Sequence, residues 1–152
     1  MKNNLFKKTE KTLYNYKNLG LEIESLDIHI NSILNDVTIA GVSYEEKFPT
    51  NAFNSSVENE VIKREEHQAE LIEKLRKKKK GLIELDKLVK VALNSLEPEE
   101  LRLVELRYFT KPKKSWVEIW LTLGIDKTTC HRIKNKIINQ LSNYIYPNND
   151  TF

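Results

Sequence analysis

An all-α protein is predicted, and three observations predict it. The 152 residues hold only 4 Gly and 4 Pro, too few for the turns of an all-β fold of this size. Two long stretches carry apolar residues in alternating steps of four and three, the spacing that lines one stripe of a helix. The last third reads as three short helices separated by capping and turn residues. Together these predict a long N-terminal helical hairpin or coiled-coil region over residues 1–94. A C-terminal helix-turn-helix domain over 95–146 and a tail over 147–152 follow it.

Thr12, Tyr16, Leu19, Ile23, Leu26, Ile30, Ile33 and Val37 form the first seam, which predicts a helix over about Thr9–Val37. Lys17, Glu22, Glu24, Asp27 and Asn31 fall between them as a solvated face. Gly20 costs about 1 kcal/mol relative to Ala inside a helix, which predicts a kink or break there. Residues 38–56 have no clear period and contain Gly41, Pro49, Asn51, Asn54, Ser55 and Ser56, which predicts a loop. Ser55 followed by Glu58 reads as a capping box. The second long helix is then expected over Val57–Asn94, with its seam on Leu71, Leu75, Lys78, Leu82, Leu85, Val89, Ala92 and Leu96, widened by Ile72 and Leu88. Lys78 stands in the run Lys77–Lys80, read as a solvated turn whose stems lie on apolar surface, with a phosphate contact as the alternative. The two seams meet either within one chain or between two copies.

Ser95-Leu96-Glu97-Pro98 restarts a helix, because Pro suits the first helical turn and Glu99 and Glu100 suit its positive end. The helix is expected over Pro98–Phe109. Ser115 as N-cap with Glu118 as capping partner predicts a helix over Ser115–Leu123. Gly124 can take the positive φ that ends it, Ile125 fills the turn, and Asp126 caps the last helix, Lys127 to about Tyr146. The inward set of that helix is Cys130, Ile133, Ile137, Leu141 and Ile145. Its early outward positions are Lys127, Thr128, His131, Arg132 and Asn135.

A Gly-turned helix pair of this kind sets its second helix where the DNA major groove, about 12 Å wide, admits it. Arg and Lys donate to guanine, Asn reads adenine, and Thr bonds a base or packs on a thymine methyl. Lys113 and Lys114 precede a helix N-terminus whose free N–H groups also favour phosphate. Lys134 and Lys136 are further candidates for phosphate. The charge distribution agrees. The net charge is +3, but eight basic and two acidic residues lie between Arg107 and Tyr146, whereas residues 1–106 carry 17 basic and 19 acidic. Local positive excess marks where a polyanion binds.

Leu96-Glu97-Pro98-Glu99-Glu100-Leu101 through Tyr108, then Ser115-Trp116-Val117-Glu118-Ile119, then Leu123-Gly124-Ile125-Asp126 through Lys134, resembles region four of bacterial sigma factors, a promoter-recognising module. With the long N-terminal helix carrying Tyr14-Asn15-Tyr16-Lys17 and the Ser55-Ser56-Val57-Glu58 junction, the chain resembles the ArpU/RinA group. These are small phage-encoded transcriptional regulators of late, packaging or lysis genes. The resemblance implies base contacts at Lys127, Thr128, His131 and Arg132, flanked by Thr129 and Asn135. It implies phosphate contacts at Lys113, Lys114, Ser115 and Lys136. The expected partners are promoter-like double-stranded DNA, bacterial RNA polymerase and a second copy through the N-terminal helices.

Other function classes find less support. No stretch approaches the roughly 20 apolar residues of a membrane span, and the N-terminus lacks the apolar run of a secretory signal. A cytosolic protein is therefore expected. One cysteine, Cys130, excludes an internal disulfide and a cysteine metal cage; a buried small residue is the expected role. His29 and His67 are read as surface residues, and Trp116 and Trp120 as packing residues. No phosphate-binding glycine loop and no nucleophile–base–orienter set occurs, so no enzyme activity, cofactor or metal is expected. Two other classes remain open: a phage packaging or assembly adaptor that oligomerises and binds DNA non-specifically, and a coiled-coil scaffold that binds none.

Overall fold

The computed structural model describes residues 2–44 and 54–147, with side chains described over 3–36 and 57–147. Every regular element among the described residues is helical. The order is α1 (Lys2–Asn15), a 3₁₀ turn (Tyr16–Asn18), α2 (Leu19–Tyr44), α3 (Asn54–Asn94), α4 (Pro98–Val104), a π turn (Glu105–Phe109), α5 (Trp116–Leu123) and α6 (Lys127–Ile145). Among the described residues no helix is long and apolar enough to cross a membrane.

The first helix is broken, but not at Gly20. The break is the turn at Tyr16–Asn18, where the Asn18 amide donates to Asn15 Oδ1 at 3.3 Å. Asn side chains offer such local bonds in competition with the helix ladder. From Leu19 onward the expected seam holds: Leu19, Leu26 and Ile30 are buried, and Ile23 and Ile33 are half-buried. Val37 lies outside the described side chains. Before the break the seam shifts. Thr9 and Leu13 are fully buried, whereas Thr12 and Tyr16 are only half-buried. The Thr9 hydroxyl is satisfied by donating to the Leu5 carbonyl.

Both ends of the stretch expected to be a loop at 38–56 are helical. Helix α2 continues through Tyr44, and α3 starts at Asn54. The stretch Thr38–Ser43 has no proline, and one glycine's cost of about 1 kcal/mol does not stop a long helix. Ser55 therefore stands inside α3 rather than capping it. Residues 45–53 lie outside the described residues.

Two compact units divide the chain: residues 1–19 with 83–152, and residues 20–82. In the second unit Leu26, Ile30 and Ile72 are buried. Asp27 pairs with Lys79. This pair corrects the seam of α3, which runs through Ile72 and Lys79 rather than Leu71 and Lys78. Leu71 is 39% exposed, and Lys78 stands in solvent with Lys77 and Lys80. A lysine at the seam is tolerated because its stem covers apolar surface while its ammonium reaches a carboxylate.

The first unit has one core, formed by Leu13 of α1, Val89 and Ala92 of α3, Leu103 and Val104 of α4, Tyr108, Ile119 of α5, and Cys130, Ile137, Ile138, Leu141 and Ile145 of α6. Burying a side chain such as Ile138 contributes roughly 1.5–3 kcal/mol. The core beneath the C-terminal helices thus takes in α1 and the end of α3 as well. Helix α1 packs along α6, and the Thr12 hydroxyl and Tyr146 phenol lie 2.7 Å apart.

Candidate nucleic-acid interface

Local chemistry sets the ends of α5 and α6. The Ser115 N–H donates to Glu118 Oε2 at 2.7 Å, and the Glu118 N–H donates to Ser115 Oγ at 3.2 Å. This is the reciprocal capping box expected from the sequence. The bonds from Ser115 hold the Glu118 carboxyl below its usual range. Helix α5 ends at Gly124, whose φ of 68° is left-handed. The Gly124 N–H donates to the Leu121 carbonyl and the Ile125 N–H to the Trp120 carbonyl, at 3.3 and 3.1 Å, the pair of bonds that closes a Schellman end. Asp126 then caps α6 by accepting from the Thr129 N–H at 3.1 Å and from the Thr129 hydroxyl. Those two bonds, the hydroxyl first, hold the Asp126 carboxyl below its usual range.

The two faces of α6 divide cleanly. Cys130, Ile137, Ile138, Leu141 and Ile145 are buried, and Ile133 is half-buried. Burial pushes the Cys130 thiol up. On the opposite face Lys127, Thr128, His131 and Arg132 are exposed and Asn135 is half-exposed. Thr128, His131, Arg132 and Asn135 follow i, i+3, i+4, i+7 spacing and so share one stripe. Thr129 is different, because its hydroxyl is committed to Asp126. Arg132 also borders an open groove of about 850 Å³, whose rim includes Arg102, Thr122 and Lys136.

The lysines expected to meet phosphate are placed unequally. Lys113 is exposed, with its Nζ 5.0 Å from the Tyr14 ring centre. Lys114 is half-buried and its carbonyl accepts from Arg107 at 2.7 Å. Ser115 is exposed at the head of α5. Lys136 is exposed along its length, yet its ammonium pairs with Glu100 at 2.6 Å. That pair is the main reason the Glu100 carboxyl sits below its usual range. Lys134 turns inward: its side chain is 16% exposed and pairs with Glu10 at 3.0 Å. The structure therefore brings Lys113 and Ser115 together at the N-terminus of α5 and does not bring Lys134 to the surface.

Sequence reasoning missed the residues that hold this surface in place. Arg107 Nε donates to the Tyr14 hydroxyl at 3.0 Å, and its guanidinium stacks 4.5 Å from the Trp116 ring centre. Lys134 lies 4.9 Å from the same ring. Trp116 thus meets two cations, both at cation–π distance. Glu10 accepts from the Tyr108 hydroxyl at 2.7 Å in addition to Lys134. Tyr108 and Tyr14 meet edge to face at 4.6 Å. The available signal was Glu10 at the middle of the Phe6–Glu10–Tyr14 stripe of α1, a carboxylate in an otherwise aromatic row. His29 and His67 are exposed, and Trp116 and Trp120 pack on the core. Among the described residues no group of His, Cys, Asp or Glu is arranged to hold a metal.

Residues 5–143 match the family described as "Protein of unknown function (DUF722)". No curated protein and no solved structure matches the chain.

Proposed function

The chain belongs to the DUF722 family, and we propose that it is a sequence-specific, double-stranded DNA-binding regulator of transcription. In this reading α5, the Gly124 turn and α6 act as a helix-turn-helix, and α6 enters the major groove. The observation that carries the reading is the exposed stripe Thr128, His131, Arg132 and Asn135, with Lys127 beside it, on a helix whose other face is locked into a core. Those side chains supply donors for guanine and adenine edges and a methyl for thymine. Lys113 and the Ser115 end of α5 supply phosphate contacts. Thr129 acts by capping α6, and Lys134 by packing under Trp116, so neither touches DNA in this reading. The chain binds rather than catalyses, requires no cofactor, and has RNA polymerase and a second copy of itself as candidate partners. The likeness to sigma region four and to the ArpU/RinA phage regulators supports the same assignment.

Selection from a random duplex library with the purified full chain, followed by competition mobility shifts, tests this. A single enriched short motif that resists non-specific competitor is the expected result. Equal binding to all duplexes would instead favour a packaging or assembly adaptor. No binding at low salt would leave only a helical scaffold.

A further inference from the structure

Helix α1 carries an unusual charge balance. Between Lys2 and Asn15 there are four lysines and one carboxylate, Glu10. That carboxylate is turned inward, held by Lys134 at 3.0 Å and by the Tyr108 hydroxyl at 2.7 Å. The outer surface of the helix is left to its cations. Lys7 and Lys11 are both exposed, stand one turn apart, and among the described residues neither pairs with a carboxylate.

Their position follows from the contacts of their neighbours. Phe6, Glu10 and Tyr14 form one stripe of α1. That stripe meets Lys134 of α6 through Phe6 and Glu10, and meets Arg107 and Lys113 through Tyr14. Asn3, Lys7 and Lys11 form the next stripe outward along the same edge, since residues three and four apart share a helix face. Lys113 leans over Tyr14, three residues beyond Lys11, and exposed Lys111 reaches Asn18 at 3.3 Å. A row of exposed ammonium groups thus runs from α1 to the N-terminus of α5.

We infer that α1 is a second DNA-backbone contact, with Lys7 and Lys11 binding phosphates that flank those met by Lys113 and the head of α5. The inference rests on the DNA-binding reading above and extends it to the opposite end of the chain. A duplex fits this row better than a lipid surface does. The apolar residues of α1 are built into the core, and its exposed side chains are Asn3, Asn4, Lys7, Lys8 and Lys11, whereas an interfacial helix needs an apolar face to bury. Phosphate contacts of this kind position a protein without reading sequence.

The experiment is a salt titration of duplex binding by the full chain and by Lys7→Gln/Lys11→Gln, with Arg132→Ala in parallel and circular dichroism to verify folding. Loss of two phosphate contacts lowers the slope of log affinity against log salt by about 2. The advantage of the wild type should therefore shrink roughly tenfold between about 50 and 200 mM salt, equally for the preferred site and for unrelated duplexes. Arg132→Ala should relax sequence preference and leave the slope within about 1 of wild type. A wild-type slope in the double variant, with Arg132→Ala still impaired, overturns the α1 contact and leaves the groove reading standing. Failure of the wild type to bind any duplex overturns both. If the double variant loses only binding to anionic lipid vesicles, the row belongs to a membrane surface and the inference is wrong.

Discussion

Lys134 Nζ lies 3.0 Å from a Glu10 carboxylate oxygen, with both side chains at least four-fifths buried. The pair ties the first helix to the last directly beneath Trp116. The same carboxylate accepts from the Tyr108 hydroxyl, and burial followed by that bond raises the Tyr108 phenol far above its ordinary range. Three elements therefore converge on one charge, and removing any partner leaves the others desolvated and incompletely bonded.

Glu10→Gln and Lys134→Met should each destabilise the protein by about 1–3 kcal/mol, the cost of stranding a buried polar partner. The double variant should lose less than the sum. Urea unfolding of the four proteins in this cycle gives the coupling. Additive losses would mean that the pair does not act as a unit.

At Gly124 the left-handed φ of 68° sets the outcome of substitution. A Cβ there meets nothing within 4 Å, so only backbone strain is at issue. Gly124→Ala should cost about 1–2 kcal/mol, and Gly124→Asn less, because Asn visits this conformation more readily. Equal stability of Ala and Gly in thermal melts would show that the turn relaxes.

Acid should weaken the fold in a defined direction. Glu100 and Glu118 titrate below their ordinary 4.5 and Asp126 below its ordinary 3.8. A carboxyl depressed by folding stabilises the native state above its unfolded value and loses that contribution as pH falls through the folded one. Melting temperature should thus drop as pH is lowered from about 5 toward 3. Glu100→Gln should melt lower at neutral pH but show a shallower acid decline. An unchanged decline would remove Glu100 from the account.

Cys130 is 2% exposed, and burial raises its thiol. Both effects lower its reactivity, since the thiolate is the nucleophile. A thiol reagent at neutral pH should label it in denaturant and hardly at all in the folded chain. Rapid native labelling would show that α6 lifts from the core.

In the C-terminal helices, signals lying within five residues of one another were legible in the sequence, whereas the equally local Ser55–Glu58 pair falls inside α3. The Ser115–Glu118 box, the Gly124 end and the Asp126 cap each involve groups three to five positions apart, and each stands as expected from the residues. The inward and outward faces of α6 were legible for the same reason, because helical period fixes them once the ends are known. Contacts between distant segments were not. Nothing near Lys134 indicates Glu10, so the sequence places that lysine with the surface cations. Lys78 and Lys79 are equivalent in composition, and only Asp27 on another helix decides which one takes the seam. The extent of α2 was hidden because Gly41 weakens a helix without ending it.

The placement of Leu13 beside Ile137, Ile138 and Leu141 in one core has a temporal consequence. During synthesis α1 leaves the ribosome long before α6, and its apolar side lacks its α6 partners until Ile137, Ile138 and Leu141 have emerged. The core of this unit is therefore completed only from its trailing helix. A nascent chain halted before α6 holds Leu13 and Phe6 uncovered, a state that a chaperone would have to shelter.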